Sequence, residues 1–418
     1  GHDHAATAID AGAVALLVER PLGLGAPEVV VADVRSVMGP AAALVHGHPS
    51  RRLAVIGVTG TNGKTTTVAI VASVLEALGR RCDTIGTLTG ARTTPEGPAL
   101  QRLLRAAVDA GHDAVAMEVS SPALDQRRVA GTRFRVAAFT NLGVDHLDHH
   151  GTMERYYQAK ASLFVPDLAD LAIVDARTPA GRRLADECSI PSVAISDADV
   201  EISELRPSRS RFTWRGHEVE LPLGGAFNVA NAVVAAEIVH ALGPSVADVA
   251  GALTLASAVP GRFETVAEGQ PFTVVVDYAH TPDGLEAVLE AARAVTDNSL
   301  VVVFGAGGDR DATKRPQMGD VARRLADRVV VTDDNPRGED PSAIVGAIVA
   351  GMATPPDLVE HDRRRAIRHA LAGARAGDLV LVAGKGHETT QTIGDDVHDF
   401  DDRAVVREEL RRLLENAS

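Results

Sequence analysis

Cysteine is nearly missing from this chain: Cys82 and Cys188 are the only two in 418 residues, far apart and in no CxxC spacing. That leaves no disulfide framework and suits a reducing cytoplasm. Aromatic residues are equally scarce, at 3%, which argues against a surface built to stack bases. Positive charge is outnumbered, with 42 Lys and Arg against 56 Asp and Glu (42 − 56 = −14), so neither a nucleic-acid footprint nor a membrane-surface footprint is expected. No apolar run is long enough to span a bilayer, so membrane insertion is not expected, and no secretory signal opens the chain. Repeats and low-complexity tracts are missing too. What remains is an ordinary globular composition, long enough for about two to four domains.

Against this plain background the run Val58-Thr59-Gly60-Thr61-Asn62-Gly63-Lys64-Thr65-Thr66-Thr67 stands out. It follows a short apolar strand, Leu53 to Val58, and opens a helix with apolar residues at Val71, Val74, Leu75 and Leu78. Strand, glycine loop and helix form the context of a phosphate-cradling loop, in which Gly60 and Gly63 let backbone N–H groups approach the phosphates. Lys64 is placed to reach the terminal phosphates and Thr65 to bind Mg²⁺, so ATP or a close analogue is the expected ligand.

The rest of the chain alternates strands and helices. Strands are expected at Val14–Val18, Val29–Ala32, Ala114–Val119, Val136–Thr140 and Leu171–Val174, then at Thr273–Asp277, Leu300–Phe304, Arg328–Thr332 and Leu379–Ala383. This pattern predicts an α/β protein with parallel sheets covered on both faces. A helix is expected over His4–Ala11, a linker at His46–Ser50, and a hinge near Val259-Pro260-Gly261-Arg262. The chain begins at Gly1-His2-Asp3-His4 without methionine, and the expectation is that an upstream segment has been lost.

Glu118 ends a strand expected beside the phosphate loop, where ligands gather in parallel sheets, and is the second candidate Mg²⁺ ligand. The segment Asn141 to His150 is dense in metal-capable groups, and its spacing leaves a magnesium site, a zinc site and a solvated polar loop all open.

The motifs TGTNGKTTT, MEVSS, FTNLGVDHLDHHGT with YYQAKASLF, GAFNVANAVVA, VPGRFE, VVVDYAHTPDGL, FGAGGDRDATKRPQMG, TDDNPRGEDP and AGKGHE occur in one order. Together they resemble the Mur ligases, the ATP-dependent amino-acid-adding enzymes of peptidoglycan synthesis, and most of all those that add meso-diaminopimelate to UDP-N-acetylmuramoyl-L-alanyl-D-glutamate. The resemblance implies three domains: a partial UDP-substrate domain over 1–49, a central P-loop ATPase domain over 50–260, and a Rossmann-like carboxy-terminal domain over 261–418. It implies a carbamylated Lys160, which with His146 would hold one Mg²⁺ while Thr65 and Glu118 hold another. Asn228, Asn231, Arg262, Asp277, His280, Asp309 and Lys314 match nucleotide-side positions. Thr93, Thr94, Ser120, Gln126 and Arg128 match contacts to the muramoyl dipeptide. Arg310, Asp334, Asn335, Arg337, Gly384 and Glu388 match contacts to the incoming amino acid.

Arg337 in DNPR can grip a carboxylate bidentately, and diaminopimelate carries a distal carboxylate that lysine lacks. A monomer is expected. The sequence departs from the family at Pro122, usually histidine, at Ala306, often cysteine, and at His149, usually aromatic. The stretches 87–92 and 203–215 are short, and the segment that cradles uridine is absent. A folylpolyglutamate synthetase-like ligase shares the phosphate loop and the modified lysine but is not expected to carry DNPR with AGKGHE. A non-catalytic scaffold with the same fold is the reading of a different class.

Overall fold

The strands around the phosphate loop are continuous runs of Val, Ile and Ala, the pattern of strands buried on both faces. The computed structural model describes residues 1–90 and 92–417 and places those runs in a six-stranded sheet. Its spatial order is Cys82–Ile85, Ala114–Glu118, Ala54–Thr59, Val136–Phe139, Ala172–Asp175, Ser192–Ile195, and every pairing is parallel. The strand that feeds the phosphate loop therefore lies inside the sheet, between the strand that ends in Glu118 and the strand that leads to Asn141.

One face is covered by the helices Lys64–Ala77 and Ala226–Ala241, whose Val71, Val74, Leu75, Val233 and Ile238 are fully buried. The other face carries Gly97–Asp109, Met153–Ala161 and Pro179–Glu187.

A second six-stranded sheet follows, in the order Glu264–Thr265, Thr273–Asp277, Leu379–Ala383, Leu300–Phe304, Arg328–Val331, Leu358–Val359. Its first pair is antiparallel and the rest are parallel. Helices Pro282–Ala294, Lys314–Leu325 and Pro341–Val349 cover one face, and Arg363–Ala372 and Asp402–Ala417 the other. Arg363 and Asp402 form an ion pair at 2.7 Å with both side chains fully buried, pinning those last two helices together.

One feature differs from the sequence expectations and another lies outside them. Residues 200–221 form an antiparallel three-stranded sheet (Val200–Arg206, Arg209–Trp214, His217–Leu221), which interrupts the parallel pattern. Val34–Val45 is a helix despite Gly39 and Pro40 in its interior; a side chain at Gly39 would overlap the backbone of Ala130, so packing outweighs propensity there. The stretch expected as a hinge lies between the two sheets with Val259 and Phe263 buried, and a Cβ at Gly261 (φ +64°) would overlap the backbone of Gly386 and His387. Of the stretch 87–92, Ala91 lies outside the described residues. Near the start, the short strands Leu16–Val18 and Glu28–Val30 pair in parallel beside the helix Ala5–Asp10.

Candidate active site

Every residue singled out above near the phosphate loop sits at a carboxyl end of the first sheet or beside it. Gly60 (φ +154°) and Gly63 (φ +86°) bracket the turn into helix Lys64–Ala77. A side chain at Gly63 would collide with the Asn231 amide, so the helix bearing Asn228 and Asn231 is pressed against the loop. Asn228 donates to the Gly224 carbonyl at 2.7 Å, and Asn231 contacts Asn228 at 3.4 Å. Lys64 Nζ is bound to the carbonyls of Gly60 and Thr61, each at 2.8 Å. The Thr65 hydroxyl donates to Glu118 at 3.0 Å, and the other Glu118 oxygen accepts the Thr87 N–H at 2.7 Å. Thr66 is buried in the first turn.

The loop after Phe139 runs alongside. Asn141 Oδ1 accepts the Asn62 N–H at 2.9 Å, and the Gly143 N–H donates to the Thr61 hydroxyl at 2.9 Å. Tyr156 lies beneath: its hydroxyl contacts Thr61 at 3.0 Å, and its ring stacks on His150 and meets His146 edge-on. Lys160 Nζ lies 4.4 Å from the centre of the same ring, on a side chain 1% exposed. Among the described residues Lys160 forms no salt bridge; burial pushes its pKa well down, Lys64 adds to this, and Asp145 opposes. Burial works against ionised Asp145, but His146, His280 and Lys64 outweigh it and hold the carboxyl below its usual range. Among the described residues no three His, Cys, Asp or Glu side chains converge as a metal cluster.

On the substrate-matching side, Thr94 donates to the Glu118 carbonyl at 2.9 Å and accepts the Ser120 N–H at 3.0 Å. Thr93 contacts Thr87, and Arg128 reaches both Thr94 O (3.1 Å) and Gln126 (2.8 Å). Five residues scattered in sequence thus form one strip beside Glu118.

The second sheet presents its own carboxyl ends to the first. Arg262 donates to the Thr65 hydroxyl at 3.3 Å and lies over the Tyr278 ring. Asp277 accepts the N–H groups of Phe263 and Ala279, both at 2.7 Å, so it clasps the two turns that carry Arg262 and His280. Burial, then Lys314, pushes His280 down to about 4, which leaves a neutral imidazole there at pH 7. Asn335 donates to Glu388 at 2.8 Å and accepts from Lys385 at 3.1 Å. Gly384 lies against Asp334, whose buried Oδ2 has no hydrogen-bond partner among the described residues. Arg337 (φ +52°) reaches the Gly308 carbonyl at 2.8 Å, and exposed Asp309 accepts the Gly338 N–H at 3.0 Å. Arg310 is exposed on the same loop, and Lys314 opens the following helix.

The family model described as the Mur ligase middle domain matches residues 58–239, and the one described as the Mur ligase glutamate ligase domain matches 261–386. The UDP-N-acetylmuramoyl-L-alanyl-D-glutamate–2,6-diaminopimelate ligase of Geobacillus thermodenitrificans is 46% identical over 434 residues, spanning 97% of this chain and 89% of that protein. This chain belongs to the Mur ligase family. The enzyme of the same name from Streptomyces avermitilis is 44% identical over 99% of this chain and 88% of its own length. A solved structure of a ligase of that name superposes with a TM-score of 0.68 at 33% identity, covering 98% of this chain and 89% of that one. A folylpolyglutamate synthase from Mycobacterium tuberculosis shares the fold, with a TM-score of 0.65 at 21% identity over 91% of this chain and 95% of its own.

As an ATP-dependent Mur ligase the chain serves cell-wall synthesis. Sequence reasoning missed several residues of its site. Tyr156 and Lys385 lie inside quoted motifs, but only their burial reveals that one joins the lysine helix to the phosphate loop and the other ties Asn335 to Glu388. Asp145 is one of several acids in its loop, and nothing in the spacing marks it as the one facing Lys64 and His280. A cleft of about 880 Å³ lies beside this site, lined by Asp125, Arg127, His149, His150, Arg155 and neighbours, and includes none of the phosphate-loop residues.

Proposed function

We propose that this Mur ligase joins meso-diaminopimelate to the γ-carboxylate of D-glutamate in UDP-N-acetylmuramoyl-L-alanyl-D-glutamate, using ATP. The observation that carries the proposal is the meeting of two sets of loops. The Gly60–Thr65 loop with Glu118 and buried Lys160 stands on one sheet, and Asp334, Asn335 and Glu388 converge on the other, joined through the Arg262–Thr65 contact. The relatives' shared name supports the substrate choice. The division into 1–49, 50–260 and 261–418 belongs to the same reading.

Mg²⁺ fits the residues present. A hydroxyl and a carboxylate 3.0 Å apart at a helix start are hard oxygen ligands, and Lys160 becomes one once carbamylated. A neutral amine is the form that reacts with carbon dioxide, and burial drives Lys160 towards that form. Thr65 and Glu118 would hold one ion, His146 and the Lys160 carbamate another; the ions would neutralise phosphate charge.

A γ-carboxylate oxygen of D-glutamate attacks the γ-phosphorus of ATP, and the bond to the bridging oxygen breaks so that ADP leaves with the electron pair. Lys64, the backbone N–H groups of the loop and Arg262 stabilise the charge that develops. The neutral amine of diaminopimelate then attacks the acyl carbon; phosphate departs and the nitrogen loses one proton, leaving an amide. Glu388 and Asp334 orient the substrate ammonium, and Arg337 with Arg310 receives its distal carboxylate. Thr93, Thr94, Ser120, Gln126 and Arg128 hold the acceptor beside Glu118. Closure of the second sheet keeps water from the acyl phosphate. The test is a ligation assay offering diaminopimelate and lysine together, following ADP and amide. Amide formed with lysine in preference, or no ATP-dependent amide at all, would overturn the reading.

A further inference from the structure

Another contact joins the two sheets, through a residue that has no part in the assignments above. Asp283 lies in the first turn of helix Pro282–Ala294, and its Oδ2 accepts the backbone N–H of Val144 from the opposite sheet. The same oxygen occupies the place where a side chain on Gly143 would begin. Gly143 does not have the positive φ that reserves a position for glycine. Glycine is therefore needed for room, and the room is taken by a carboxylate from another part of the fold.

The position touched matters. At one end of the loop, Asn141 and Gly143 hold Asn62 and Thr61 of the phosphate loop, both at 2.9 Å. At the other end follow Asp145, whose charge acts on Lys64, His280 and Lys314, and then His146, whose ring lies 3.5 Å from the Asp145 carboxylate. A grip on Val144 thus fixes the part of the loop that connects the nucleotide cradle to these charged groups.

We propose that Asp283 is a positioning residue: its bond to Val144 forms when the second sheet closes on the first, and it sets Asp145 and His146 in register for phosphoryl transfer. This rests on the ligase reading above. The bond lies beside the packing of helix Pro282–Ala294 on helix Ala226–Ala241, where Ala291 approaches Gly225, and it is the part of that seam that reaches the loop.

The test uses the full chain with Asp283→Ala, Asp283→Asn, Gly143→Ala and the Gly143→Ala/Asp283→Ala pair. Steady-state ligation is compared with hydrogen exchange of the segment 141–146 in the presence of a non-hydrolysable ATP analogue. Asp283→Ala is expected to lower kcat about 10- to 100-fold, the scale of a misplaced catalytic group, while KM for ATP moves by less than about threefold. Asp283→Asn keeps an accepting oxygen and retains most activity. Gly143→Ala alone falls as far as Asp283→Ala, yet costs nothing further in the pair, because the oxygen it would strike is gone. Nucleotide-dependent protection of Val144 is lost in Asp283→Ala and kept in Asp283→Asn. If the alanine variant melts early, Asp283→Glu, which displaces the oxygen by one methylene, takes its place.

Wild-type kcat in Asp283→Ala, an equal Gly143→Ala penalty in both backgrounds, or unchanged protection of Val144 would each overturn the proposal. Failure of the wild type to ligate diaminopimelate would sink the function instead, since the exchange measurement needs only nucleotide.

Discussion

Replacing Lys160 by methionine should make this protein more stable and abolish its activity. The side chain is 1% exposed, makes no salt bridge among the described residues, and rests its Nζ 4.4 Å from the Tyr156 ring centre. Burial, with Lys64 nearby, holds its pKa well below the ordinary lysine value. In the unfolded chain the amine binds a proton up to about pH 10.4. Between the folded and unfolded pKa values the unfolded state therefore carries the extra proton, and each unit of separation costs the fold about 1.4 kcal/mol. That penalty is complete below the folded pKa and fades as pH rises towards the unfolded one.

Methionine matches the aliphatic stem, keeps a favourable sulfur–ring contact and removes the penalty. In bicarbonate-free buffer at pH 7, Lys160→Met is expected to gain at least about 1 kcal/mol, or roughly 2–4 °C in melting temperature for a unit of 150–250 residues. The gain should shrink steadily from pH 8 to pH 10. Calorimetry across that range measures it, and ligation assays should show near-complete loss of turnover. Lys160→Ala adds a cavity costing about 2–5 kcal/mol, but leaves room for short carboxylic acids to restore part of the activity. A methionine variant that is less stable than wild type at pH 7, with no convergence at higher pH, would refute the reasoning about the buried amine; one that still ligates would refute the role of the carbamate.

Arg337→Gly suits a φ of +52° better than alanine does. It should raise KM for diaminopimelate about 10- to 100-fold, since a charge-assisted hydrogen bond at this half-buried arginine is worth about 1.5–3 kcal/mol, while KM for ATP stays put in the same assay. Asp402→Asn leaves the fully buried Arg363 guanidinium uncompensated and should cost about 3–5 kcal/mol in denaturant unfolding of the second sheet's transition. His280, pushed down to about 4 by burial and Lys314, takes up its proton earlier when unfolded. Stability should therefore fall as pH drops from about 6.5 towards 4, and His280→Gln should flatten that limb of a melting-temperature profile.

Strands Thr273–Asp277, Leu300–Phe304 and Leu379–Ala383 were readable to the residue because strands buried on both faces are written as unbroken Val and Leu runs. The phosphate loop and Glu118 were equally legible, since local chemistry and strand ends define them. Helix Val34–Val45 was not, because Gly39 and Pro40 argue against it locally and only the approach of Ala130 explains the glycine. The sheet over residues 200–221 escaped because its strands carry alternating charges, such as Glu201, Glu204 and Arg206, that mark one solvated face rather than a buried core. Lys385, Tyr156 and Asp283 act across distances in sequence that no spacing rule reaches.

The two sheets meet the reactants with unequal inheritance. Nucleotide-side loops hang mainly on the first, whereas Asp334, Asn335, Arg337, Gly384 and Glu388 all hang on the second, entered through Val259–Arg262. On the proposed reading, selection can therefore rewrite the choice of amino acid within 261–418 while the phosphate loop, Glu118 and Lys160 are left alone. A chimera that keeps this first sheet and takes its second from a lysine-adding relative should change its product in a single step, provided the Gly143–Asp283 and Thr65–Arg262 seams are kept.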